Sequence, residues 1–445
     1  MSKLRAPGIA VSAGSTILLS FTAQWYILTQ LGAGRASDSY FAALAVPVVI
    51  LYVLGDPLSR VALPLMSVKD ETEHWTYAWT TIALGLAIFL AIGVVLFASA
   101  PLWVRHLVPG FDADATAATA RLIRILVLGM MLQGTGMVAR SAWNAKGSFL
   151  WPTTAGMIAA ACSLLFLLLT LKRAGVTMAA WAFNVRFGVE FLLLLVPLGN
   201  FARPRWTEAP LLLRKARPLM LGAAYFRTDV IVDRVLTSLA PPGSLSLLYL
   251  AQQLLSAAGQ VINQSVVAPL IPALARTAHV GDWAKFGSSV RSSTWRLLAL
   301  ASFLVLGIAL FGKPVLGLIF THRAMGAAEI DRLVMLIFAL GGMLLADGVV
   351  YFAYSAFYSA GDTVTPTVAT AVLYSVSIAA KIVAFMVGGL VALAITISVY
   401  YIANAVLLQL LLRAKLARLR EAPELPATEA AESLPLPPTP TIDSY

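Results

Sequence analysis

Charge is what this sequence has least of. Only 12% of its 445 residues are Asp, Glu, Lys or Arg, about half the share carried by a domain dissolved in water. With 59% hydrophobic residues and a mean hydropathy of +0.83, the chain cannot cover a water-facing surface with polar groups. Cysteine is nearly absent too: Cys162 stands alone in an apolar run, which excludes an intramolecular disulfide. The four histidines, His74, His106, His279 and His322, have no Cys or carboxylate at ligand spacing, so no zinc site is expected. GIALFGKP (307–314) has the glycine spacing of a phosphate loop. Pro314 stands where the magnesium-binding Ser or Thr belongs, and the glycines lie in an apolar run instead of following a strand. No ATP site and no other cofactor site is expected. With no nucleophile–base motif either, the chain does not read as an enzyme.

What is present is a series of apolar runs near 20 residues, the length at which a helix spans the hydrocarbon. Backbone groups in lipid must be satisfied within each segment, which selects helices. Spans are expected near 8–31, 38–66, 78–100, 120–143, 150–171 and 177–199, then 218–240, 245–275, 289–311, 330–357, 363–386 and 388–412. Lys3 and Arg5 precede the first run as in a signal peptide. That run is too long and lacks a convincing cleavage site, so it reads as a span. The fold class is therefore an all-α polytopic membrane protein of about twelve helices.

The net charge of +11 raises nucleic acid as a partner, but the placement of the basic residues excludes it. With the N-terminus inside, the segments at one membrane face hold seventeen Lys and Arg. The opposite loops hold only Arg35, Arg105, Lys172, Arg173, Lys313 and Arg323. This bias places both termini in the cytoplasm. The basic segment 201–217 reads as a linker between halves 1–200 and 218–412, with anionic lipid headgroups beside it. After a basic stretch from 413, the Pro-, Ala- and Glu-rich end of the chain reads as a disordered tail.

The chain also repeats itself. SAWNAKGSFLWPT (141–153) returns as SAFYSAGDTVTPT (355–367), so that Gly147 and Pro152 recur as Gly361 and Pro366, each 214 residues on. The glycines suit tight turns, and the prolines suit the first turn of the next helix, where a missing N–H costs little. Two six-helix halves follow. Six is even, so they share one orientation and are related by a pseudo-two-fold axis along the membrane normal, with a substrate cavity expected between them.

GAGRASDSYFAALAVP (32–47), PGFDAD (109–114), the SAWNAKGSF block, PPGSLSLLYLAQQLLSAAGQV (241–261) and AFYSAGDTVTP (356–366) together resemble the MviN/MurJ lipid II flippases, in matching order over nearly all of 1–412. The resemblance implies movement of a polyprenyl-diphosphate-linked saccharide across the bacterial inner membrane by alternating access. It matches Asp38 to the family's acidic residue after the first span, and Gly361, Asp362 and Pro366 to its second-half turn. The family has fourteen spans, against the twelve expected here. Its cavity arginines fall at Ile17, Ala23, Leu51 and Gln253 of this chain.

Ionisable residues inside spans are expensive and are functional candidates. Asp56 and Arg60 lie four apart on one helical face, as do Arg186 and Glu190; either is a ligand site or a self-neutralising pair. In FRTDVIVDRV (226–235), Arg227 and Arg234 share one side of a helix and Asp229 and Asp233 another. Given the resemblance, Arg227, Arg234, Arg186 and Arg60, with Gln253 and Asp38, are candidates to meet a diphosphate, since guanidinium forks bind phosphate bidentately. Glu190, Asp229, Asp233, Asp56 and Asp347 are candidates to bind a coupling Na⁺ or H⁺. Gln253 and Asp347 equally suit helix–helix contacts. Arg121, Arg124, Arg296, Arg332 and Lys381 lie nearer span ends, where snorkelling is expected. The expected cargo is lipid II or an exopolysaccharide or O-antigen repeat unit, with membrane lipids and possible cell-envelope synthesis enzymes as partners. A cation-coupled drug or metabolite antiporter, and a non-transporting scaffold, are the alternatives.

Overall fold

The computed structural model describes residues 5–196, 201–320 and 326–421. The tail expected to be disordered, from 422 on, lies outside the described residues. Fifteen α-helices make twelve rods among those described. The first half holds α1 (Arg5–Leu31), then α2 (Arg35–Ile50) continued by α3 (Asp56–Ser67), α4 (Glu71–Leu107), α5 (Ala113–Ala145), α6 (Leu150–Ala174) and α7 (Val176–Leu195). The second half holds α8 (Ala209–Phe226) followed by α9 (Thr228–Ser238), and α10 (Ser244–Ile262) continued by α11 (Ala268–His279). It goes on with α12 (Trp283–Phe320), α13 (Ala327–Ala339) followed by α14 (Gly341–Ser359), and α15 (Val364–Glu421). α15 turns at Gly389 and so supplies the last two rods. Among the described residues, nine continuous helical stretches, three of them joined pairs (α2 with α3, α10 with α11, α13 with α14), are long and apolar enough to cross a bilayer.

The starts and stops follow local chemistry. The carboxylates of Asp70, Asp112 and Asp362 each accept the backbone N–H three residues on, at 2.8–2.9 Å, and so cap α4, α5 and α15. Gly147 and Gly361 take φ of +72° and +73° at the repeated turn. The 214-residue repeat also runs further than the quoted motif. Gly175, between α6 and α7, has φ 66° and ψ −156°, and Gly389, inside α15, has φ 64° and ψ −147°. This is backbone that only glycine adopts readily. The second and eighth rods share a device as well: each contains a π-helical turn, Leu51–Gly55 and Asn263–Val267, just before Pro57 and Pro269. Proline has no N–H to continue the ladder and crowds the carbonyl four residues back, so the turn widens there.

Two differences from the sequence reading bear on the site. The expected single span 218–240 is two helices: α8 starts at Ala209, inside the segment read as linker, and the chain breaks at Arg227 (φ −103°, ψ 1°) before α9. α8 then lies against the first half, with Ala209, Leu212 and Ala216 buried in one cluster with Leu58, Ala62 and Met66 of α3. Leu51, Phe89 and Met130 form a small cluster of their own, and a much larger core joins both halves through α2, α5, α10 and α14.

Candidate functional site

Between the halves lie three cavities that share walls. One of about 430 Å³ is lined by Gln24, Tyr40, Tyr52, Gln133, Arg186 and Gln253 among others. A second, about 270 Å³, is lined by Arg227, Asp229, Asp233, Arg234, Gln252 and Lys381. A third, about 390 Å³, holds Arg140, Arg186, Glu190 and Gln264. Gln260 borders all three. The result is a polar interior within an apolar bundle, the arrangement that permits charges at membrane depth.

In the second half, Arg227, Asp229, Asp233 and Arg234 all border one cavity. The two-sided arrangement expected from an unbroken helix does not hold, because Arg227 lies outside α9 and its position no longer follows the helical register. Arg227 instead reaches across to the first half and places its guanidinium 3.8 Å from the ring centre of Tyr52, a cation–π contact. Lys381, expected to snorkel to the interface, is buried. Its ammonium donates to Asp233 Oδ1 at 2.9 Å, with only 5% and 7% of the two side chains exposed. The packing of α15 against α9 buries Lys381 at the cavity wall instead of the membrane interface, and the carboxylate compensates for the lost hydration. Gln252 Nε2 donates to the other carboxylate oxygen at 3.3 Å.

Arg234 is buried beside this pair, 5.1 Å from the Tyr249 ring centre. Its Nε and Nη1 find no acceptor among the described residues. In the first half, Arg186 is in the same condition: it borders two of the cavities, and its Nε has no acceptor there. Glu190 does not pair with Arg186, as the four-residue spacing led one to expect. It pairs with Arg140 of α5, fifty residues away in sequence. Helical spacing puts Arg186 and Glu190 on one face, but the neighbouring helix offers the carboxylate a cation of its own. Arg186 is left to face the cavity.

Other expected site residues are engaged elsewhere. Asp56 and Arg60 do form their intrahelical pair at 2.8 Å, with 72% of the Arg60 side chain exposed, and neither borders these three cavities. Asp347 accepts from Asn263 Nδ2 at 2.8 Å and so braces the second π-helical turn. Asp362 turns its carboxylate to Lys415 Nζ at 2.9 Å and to the α15 cap. These bonds, the Thr365 N–H first and the Lys415 ammonium second, stabilise the ionised form and pull its pKa down to about 2.

Asp38 is a contact between the halves, not a wall of the cavity. Oδ2 accepts from Gly243 N at 2.7 Å and Oδ1 from Ser246 N at 2.8 Å, at the start of α10. The free N–H groups of a helix start favour a carboxylate there. Beside it, Ser37 Oγ donates to Ser246 Oγ at 3.3 Å, and Gly110 N donates to Ser238 Oγ at 3.3 Å. A Cβ on Gly243 would meet Ala33 O at 2.6 Å, so only glycine allows the two halves to approach this closely. The bundle is thus shut at the end that carries the loops 32–34, 108–112 and 239–243.

Arg140, Lys381 and the glutamines at 24, 133, 252, 260 and 264 are site residues that sequence reasoning did not single out. A signal existed for the glutamines: uncharged polar side chains repeated at depth in three spans, each costly in lipid unless it meets a partner or a cavity.

A membrane bundle of two like halves, shut at one end and enclosing a charged cavity, has the architecture of a membrane transporter. The family model described as "Lipid II flippase MurJ" matches residues 27–428, and the chain belongs to that family. It is 25% identical over 401 residues to a "Probable lipid II flippase MurJ" of Bdellovibrio bacteriovorus, covering 85% of this chain and 76% of that protein. It is 22% identical over 385 residues to the protein of the same description in Thermotoga maritima, covering 85% and 79%. Among solved structures, a lipid II flippase MurJ in an inward closed conformation superposes with a TM-score of 0.80 at 16% identity, covering 92% of this chain and 89% of that one. An inward-facing multidrug resistance transporter of the MATE family superposes with a TM-score of 0.77 at 14% identity, covering 93% and 99%. Both share the fold.

Proposed function

We propose that this protein carries lipid II across the bacterial inner membrane, with both termini in the cytoplasm, and holds the diphosphate between Arg186 and Arg234. The observation that carries this reading is a pair of arginines, one from each half, that border adjoining cavities and have buried N–H donors with no acceptor among the described residues. Buried unmatched donors are costly, and a diphosphate is the ligand that supplies acceptors and charge together. With Asp38 holding the far end shut, cargo enters from the side where the basic residues concentrate. Release requires the Asp38 contacts to break as the halves tilt.

The cation place beside Asp233 is filled by Lys381. A coupling Na⁺ or H⁺ therefore falls to Asp229, which borders the cavity and forms no ion pair among the described residues. The energy source is an ion gradient or the membrane potential.

The test is lipid II binding and translocation by the purified protein in proteoliposomes, with Arg186→Ala and Arg234→Ala compared singly and together. Each charge-assisted contact contributes about 1.5–3 kcal/mol, so each single change weakens lipid II binding by at least ~10-fold. Folded wild type that ignores lipid II but exchanges amphipathic cations refutes the reading and favours the antiporter.

A further inference from the structure

A separate slot of about 370 Å³ opens on the outer face of the second half, between α12, α14 and the last limb of α15. It shares no lining residue with the central cavities. Its two ends differ. At one, Arg291 and Arg413 are exposed, and neither forms an ion pair among the described residues. At the other, Leu345, Ala346 and Ile402 leave only apolar wall.

The dimensions fit one leaflet. Ile402 and Arg413 are eleven residues apart on one helix, which is about 16 Å of rise. Half of a bilayer's hydrocarbon core is about 15 Å. Both arginines lie near the helix ends where basic residues concentrate, about eight residues in from Trp283 and Glu421 respectively. Trp295, 63% exposed, stands beside them, as amphipathic rings do at a membrane interface. Gln409 Nε2 donates to Thr294 Oγ1 at 3.3 Å and ties the two walls together just below the charges.

We propose that this slot is a site for an anionic phospholipid of the cytoplasmic leaflet. One acyl chain lies along Val406 and Ile402, and the phosphate sits between Arg291 and Arg413. Charge complementarity selects this occupant: a zwitterionic lipid offsets its phosphate with its own cation, whereas an anionic one leaves it for the two guanidinium groups. The site is independent of the cargo in the central cavity.

The test is native mass spectrometry of the full-length protein titrated with phosphatidylglycerol or phosphatidylcholine. Arg291→Ala/Arg413→Ala removes the headgroup contacts, and Val406→Trp fills the exposed mouth of the slot. Wild type retains phosphatidylglycerol in preference. The double variant loses roughly thirty-fold in affinity for it while binding phosphatidylcholine as before, since each basic group near the surface is worth about a factor of five. V406W loses both lipids. Equal retention of the two lipids by wild type, selectivity that survives R291A/R413A, or lipid binding untouched by V406W would each overturn the site and leave only unspecific boundary lipid.

Discussion

Lys381→Met is the sharpest test of how the second half is held together. Lys381 and Asp233 are almost wholly buried and 2.9 Å apart. Removing the ammonium leaves a carboxylate in a place from which water is largely excluded. Among the described residues, the side-chain donor that remains is Gln252, at 3.3 Å. Breaking a buried pair from one side costs about 3–5 kcal/mol. For 445 residues, an unfolding entropy of about 2.1 cal/mol/K per residue gives roughly 0.9 kcal/mol/K. The midpoint of thermal unfolding should therefore fall by about 3–5 °C. The double variant Asp233→Asn/Lys381→Met removes the stranded charge and should regain most of the loss, because replacing both partners of such a pair is often close to neutral. Unfolding followed by intrinsic fluorescence in detergent measures both. Sodium adds a second readout: it should raise the midpoint of Lys381→Met, where Asp233 is open to a cation, and leave wild type unchanged. A single variant as stable as wild type, or a double variant no better than the single, refutes the pair as the element that fixes α9 against α15.

Three further outcomes are expected. Ser37→Cys/Ser246→Cys, made without Cys162, should form a disulfide across the closed end and block transport until reduced; cross-linked protein that still transports would show that this end need not open. Gly175→Ala and Gly389→Ala should each destabilise by about 1–3 kcal/mol in chemical unfolding, because each glycine holds backbone that other residues avoid; a neutral result at either removes the shared requirement. Asp362→Ala should lose about 1 kcal/mol with its helix cap at neutral pH. Since the folded-state pKa of Asp362 lies below its ordinary value, the difference from wild type should be full above about pH 4 and vanish as pH falls through about 2. A difference that persists at the lowest pH would place the effect elsewhere.

Much of the architecture is legible in the sequence. Twelve apolar runs, the 214-residue echo and the lopsided basic loops specify two like halves in a membrane, since the cost of charge and of bare backbone in lipid leaves few alternatives. The charged candidates are visible for the same reason. Arg186, Arg227, Asp229, Asp233, Arg234 and Glu190 are conspicuous because nothing but a partner or a cavity excuses them at that depth.

Which of these residues are partnered, and which face the cavity, was decided by tertiary structure. Helical spacing places Arg186 and Glu190 on one face, yet Glu190 takes Arg140 from fifty residues away. Asp233 takes Lys381 across 148 residues, and Asp38 binds backbone 205 residues on. Periodicity fixes which side of its own helix a residue lies on. It does not fix the rotation of that helix against its neighbours, nor a break such as the one at Arg227 that resets the register. The sequence by itself thus determined the membrane, the duplication and the charged candidates. Only packing decided that two arginines, one from each half, are left with donors unmatched and aimed at the space between.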